Sequence, residues 1–121
     1  MMFPFNDATT AELKKLEQKA IDACIKDDIR ADDCQAIIGK GAENIDDWAC
    51  DSGLDEDGEL MLESNGGVEH LGYYRGHYYT YVTDWSNDVV YPGTIHKIDV
   101  EETIREGGFM ADLIKKHKGM K

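Results

Sequence analysis

A chain of 121 residues carrying 25 Asp and Glu against 13 Lys and Arg, a net charge of -12 at pH 7, has the size of one domain (1–121). Such acidity excludes direct binding of nucleic acid or of an anionic membrane surface, while 41% hydrophobic residues exclude a disordered acidic tail. No segment has the apolar length of a bilayer span, and the start MMFPFNDATT lacks the basic and apolar regions of a secretory signal, so the expected location is cytoplasmic.

Thr9 and Glu12 have the spacing of a capping box, and Leu13, Leu16, Ala20, Ile21, Cys24, Ile25 and Ile29 follow at helical intervals, predicting a first helix from about Ala11 to Asp28. Asp32 or Asp33 is expected to cap a short helix through Ile38, stopped by Gly39 and Gly41. Asn44 is expected to cap a further helical turn with Ile45, Trp48 and Ala49 on its packed side. Beyond Gly53 the period changes to that of strands. SNGG supplies a turn, and VEHLGYY and HYYTYVTDW read as two strands joined at Arg75 and Gly76. That register sets His70 opposite Tyr81, Gly72 opposite Tyr79 and Tyr74 opposite His77 on one face, with an aromatic ring lying across the bare backbone of Gly72. DVVYPGTIHKID reads as a short edge strand interrupted at Pro92, Asp99 caps VEETIREGG, and FMADLIKKHKGMK closes the chain as a helix with a basic end. The fold expected is α+β: N-terminal helices, a three- or four-stranded antiparallel meander, then short C-terminal helices.

The charge is concentrated. Residues 1–70 hold 18 acids and 6 bases, whereas residues 71–121 hold 7 of each, and from Glu43 to Glu69 there are ten acids and no base. A single-sign field of that length opposes folding by self-repulsion, which argues that it is used. Carboxylates at alternate strand positions lie roughly 6.7 Å apart, and several such rows make a negative surface comparable to a nucleic-acid backbone.

Other chemistries fit the residues less well. DEDGE has the look of a calcium loop, but with Gly58 at its sixth position Gly53 and Ser64 fall where an acid and a bidentate Glu are required. Cys24, Cys34 and Cys50 are an odd number without a CxxC and read as reduced, buried thiols with no disulfide, and with His70, His77, His96 and His117 they match no zinc spacing. No nucleophile elbow, P-loop, HExxH or dinucleotide fingerprint is present. Neither cofactor nor metal is expected.

These residues point to a small acidic non-enzymatic protein that binds and inhibits a basic nucleic-acid-binding protein or nuclease, as phage anti-defence proteins of the anti-CRISPR kind and nuclease immunity proteins do. The expected contact residues are Asp46, Asp47, Trp48, Asp51, Asp55, Glu56, Asp57, Glu59, Glu63, Tyr78 and Trp85, the charges steering association and the aromatics slowing dissociation. The alternative is a small enzyme or ligand-binding domain using His70, His77 and the neighbouring tyrosines. A pocket converging on the two histidines favours that alternative; a convex acidic ridge favours the first reading.

Overall fold

In the computed structural model residues 10–54, 60–85 and 89–119 are described, with the side chains at 10, 12, 13, 52–54 and 60–65 excepted. The elements are α1 (Thr10–Lys26), α2 (Ala31–Ile38), β1 (Glu43–Leu54), β2 (Leu60–Tyr74), β3 (His77–Thr83), β4 (His96–Lys97), α3 (Val100–Glu106) and α4 (Phe109–Gly119). The strands form one antiparallel meander in the order β1-β2-β3-β4, with helices before and after it, the α+β arrangement that the sequence predicts.

Helix α1 buries Leu16, Ala20, Ile21 and Cys24 at helical spacing. It ends at Lys26, short of the expected Asp28, because Asp28 adopts a left-handed φ of 60° and the amide of Ile29 turns back to the Cys24 carbonyl at 2.8 Å. That pairing is a Schellman close, and it tucks Ile29 into the core. Thr9, the expected cap, lies outside the described residues. Helix α2 closes in the same way, with Lys40 (φ 63°) rather than a glycine as the left-handed residue. Its start departs from expectation too. Arg30 occupies the cap position without a side-chain bond, and Asp32 and Asp33 sit in the first turn, where carboxylates suit the helix dipole.

Two expectations are overturned. Cys24 and Cys34 are joined as a disulfide between α1 and α2, so the three thiols are not all reduced, and Cys50 remains the free cysteine. The odd cysteine count concealed the pair, and the ten-residue spacing is bridged because the Schellman turn folds α2 back against α1. With the pair oxidised, the thiols give no argument for a reducing compartment. No helix of the described residues is long and apolar enough to cross a membrane.

The second correction is β1. The segment expected to form an Asn44-capped helical turn is instead a twelve-residue strand paired with β2 from Glu43↔Tyr73 to Leu54↔Leu60. A bulge between Asn44 and Asp46 makes Ile45 the extra residue, and this brings Ile45 and Trp48 into the same apolar cluster. A spacing of three that reads as helical is here produced by a bulged strand.

The β2–β3 register is the expected one: His70↔Tyr81, Gly72↔Tyr79 and Tyr74↔His77. Arg75 and Gly76 turn the chain with φ of 51° and 83°, the two positive values of a type I′ turn. The ring that crosses Gly72 is that of Tyr81, not Tyr79. A Cβ at Gly72 would stand 3.1 Å from a Tyr81 ring carbon. On the far side of β3, Val90 bridges Thr83, and β4 supplies two paired residues beyond Pro92. Asp99 caps α3 by accepting from the amide of Glu102.

Both faces of the sheet are covered, as the alternation of Tyr78 and Tyr79 requires. Tyr79 and Tyr81 pack with Ile21, Cys24, Cys34 and Ile37 of α1 and α2. Leu71 and Tyr78 pack with Ile114 of α4, flanked by Ile45, Trp48 and Ile104.

Candidate functional site

The acidic row occupies the outer strand of the sheet. Among the described residues β1 pairs only with β2, and Glu43, Asp46, Asp47 and Asp51 on it are exposed. The alternation of the strand divides them. Asp46 borders a groove of about 450 Å³ against α4, together with Lys116 and His117. Asp47 faces the opposite side of the sheet, toward α2. Exposed charge on an edge strand also discourages a second sheet from pairing there, which is a structural use of the same residues.

On the α2 side, Asp47 opens onto a cavity of about 190 Å³ whose lining includes Ile37, Ile38, Lys40, His70, Tyr81 and Val90. His70 is 5% exposed and stacks on Tyr81 with ring centres 5.0 Å apart and planes 19° apart. Its Nε2 lies 2.7 Å from the Thr83 hydroxyl, and that hydroxyl donates to the Asp84 carbonyl at 3.1 Å. On the other side of the ring, Nδ1 lies 3.9 Å from Asp47 Oδ2. Burial raises the pKa of Tyr81 above its ordinary value, and the Asp47 carboxylate raises it further. The cavity thus combines a neutral phenol, a fixed imidazole, one rim carboxylate and apolar walls.

A second histidine cluster lies on the α4 face. Tyr78 Oη is 2.5 Å from Nδ1 of His117, whose Nε2 is 3.4 Å from Glu43 Oε2, and the Tyr73 ring packs against the imidazole at 4.8 Å. The basic end of α4 is thereby tied to the start of β1. Burial, then the neighbouring Tyr73 and Glu43, raise the Tyr78 pKa. Sequence reasoning missed this cluster because its members are far apart in the chain; the period of α4, which turns His117 to the same side as Leu113 and Ile114, was the available signal.

The sequence-derived contact residues are placed unevenly. Trp48 is half-buried, edge-on to Phe109 at 5.0 Å, and donates its indole N–H to Glu69 at 2.9 Å. Trp85 is 59% exposed. Tyr78 is 2% exposed beneath α4, out of reach of a partner. Asp55, Glu56, Asp57 and Glu59 lie outside the described residues, as does the DEDGE turn, and of Glu63 only the backbone is described. His70 and His77 do not converge: His77 is exposed beside the hairpin turn, its ring 6.4 Å from that of Tyr79. Among the described residues no three His, Cys, Asp or Glu gather to hold a metal ion. No family model matches the chain, and no curated protein or solved structure matches it either.

Proposed function

We propose that this chain is a small acidic binding protein that inhibits a basic, nucleic-acid-handling protein, with the β1 edge as its contact surface. The observation that carries the reading is the coincidence of the outer strand with the acidic row: Glu43, Asp46, Asp47 and Asp51 are exposed along a twelve-residue strand that pairs only with β2 among the described residues. An unpaired strand edge offers main-chain donors and acceptors to an extended segment of a partner. The surrounding charge of -12 accelerates approach of a basic one. Trp85, exposed, supplies an aromatic anchor. Phage inhibitors of host defence nucleases and immunity proteins of nuclease toxins are the settings in which such a surface competes for a phosphate-binding site.

The test compares two variants of equal net charge. One carries Glu43→Gln, Asp46→Asn, Asp47→Asn and Asp51→Asn; the other carries Glu17→Gln, Asp22→Asn, Asp27→Asn and Asp28→Asn. Proteins captured by the unaltered chain from its source cell at about 50 mM salt and released at about 500 mM are identified, and association rates with each variant are measured. Capture of nucleic-acid-handling proteins, with the association rate lost in the first variant and kept in the second, supports the reading. Equal rates in both variants overturn it.

A further inference from the structure

We propose that the cavity between α2 and the sheet binds a primary ammonium group carried on a short apolar or single-ring stem, either a free amine or a lysine side chain. Its size sets the stem. At about 190 Å³ it exceeds the roughly 150 Å³ of an apolar cavity that holds benzene, so one ring and a carbon or two fit. The inner walls suit such a stem: Ile37, Val90 and Tyr81 are buried apolar or aromatic surface. His70, stacked on Tyr81 and held by Thr83, gives one wall a fixed planar face.

The rim sets the head group. Asp47 projects its carboxylate to the mouth, the side chain 47% exposed and Oδ2 3.9 Å from the imidazole, where it can accept from an ammonium without being dehydrated beforehand. Lys40 borders the same mouth, so a carboxylate-bearing ligand is the competing choice. The field decides against it: a chain of net charge -12 concentrates cations and repels anions. This inference does not rest on the β1 reading, since a free amine fills the cavity with no protein partner.

The experiment titrates the full chain, observed through the ring resonances of His70 and Tyr81, with benzylamine, benzyl alcohol, benzoate and an acetyl-Gly-Lys-Gly-amide peptide. Benzylamine is expected to bind with a Kd on the order of 1 mM or tighter, given so few atoms, and the alcohol and benzoate about tenfold more weakly. Asp47→Asn should remove that tenfold preference. Ala42 also lines the cavity, and Ala42→Leu, which narrows it without touching a charge, should weaken benzylamine while leaving association at the β1 edge unchanged. Peptide binding as tight as benzylamine assigns the site to a lysine side chain, and peptide silence beside benzylamine binding assigns it to a free amine; both support the ammonium class. The proposal is overturned by benzoate or alcohol binding as well as the amine, by a preference that survives Asp47→Asn, or by no shift with any probe at about 10 mM, a concentration well above the expected Kd.

Discussion

The hydroxyl of Tyr79 donates to Oδ2 of Asp33 at 3.0 Å, joining the first turn of α2 to the middle of the sheet. Asp33 is 4% exposed, and its other oxygen is buried with no hydrogen-bond partner among the described residues, so this donor carries most of the compensation for a carboxylate inside the core. Tyr79→Phe keeps the ring and removes the donor. It should lower the unfolding free energy by about 2–3 kcal/mol, because a buried charged acceptor is left unsatisfied. Adding Asp33→Ala to Tyr79→Phe should recover part of that loss, since removing both partners is milder than removing one. Urea unfolding of the two variants decides the matter, and a double variant less stable than Tyr79→Phe would show that Asp33 supports the fold in another way.

Tyr79 and Tyr91 both have pKa values pushed up to about 12, chiefly by burial; the hydrogen bond and charge of Asp33 add to it for Tyr79, and the charges of Asp84 and Cys50 for Tyr91. Folding therefore favours the neutral phenol. Unfolded tyrosine titrates near pH 10, so the stability linked to these groups is complete below about pH 10 and is lost as pH rises toward 12. Urea midpoints measured across that interval should fall, and less steeply in Tyr79→Phe than in the unaltered chain. A midpoint independent of pH between about 10 and 12 contradicts the linkage.

The Cys24–Cys34 bond closes a loop of ten residues' separation, and the chain-entropy relation gives it roughly 3 kcal/mol. Reductant should lower the urea midpoint accordingly, and a Cys24→Ser, Cys34→Ser double variant should be insensitive to reductant. The fold should survive reduction, because Sγ of Cys34 lies 3.4 Å from the Ala20 carbonyl, an acceptor ready for the thiol. Thiol titration of the folded protein should find Cys50 alone, and three reactive thiols would exclude the bond.

Gly72→Ala tests the packing behind the candidate cavity. The new methyl would meet the Tyr81 ring at 3.1 Å and the Ala42 methyl at 3.5 Å, so Tyr81 must shift and carry its stack with His70 along. A destabilisation of about 1–3 kcal/mol is expected from the overpacking, with displaced His70 ring resonances as the local signature. Unmoved resonances in a destabilised variant would place the strain elsewhere.

The legible parts of the fold were those written in local periodicity. Helix α1 announces itself through one continuous apolar stripe, and the hairpin through a turn that fixes every pair from Tyr74↔His77 to His70↔Tyr81. β1 was hidden because its bulge shifts the phase between Ile45 and Trp48, and because an acid-rich strand with Gly53 near its end has poor intrinsic strand propensity that pairing with β2 overrides. The His70 cavity was legible only in part. Its sheet wall follows from the hairpin register, whereas Ile37, Ile38 and Val90 arrive from elements whose docking no local pattern specifies. Cys24 and Cys34 likewise needed the α1–α2 turn before their spacing meant anything.

The two borders of the sheet are unequal. The far side of β3 is closed by the segment that follows it, through Tyr91 N–H to the Val82 carbonyl, Ile98 N–H to the Tyr78 carbonyl and the short pairing of β4, whereas β1 runs for twelve residues at the other border. Among the described residues the long border is therefore the one rich in main-chain groups, while the other, β4, is only two residues long. A second copy brought edge to edge along β1 would set Glu43, Asp46, Asp47 and Asp51 against the same four carboxylates, a repulsion that only salt would screen.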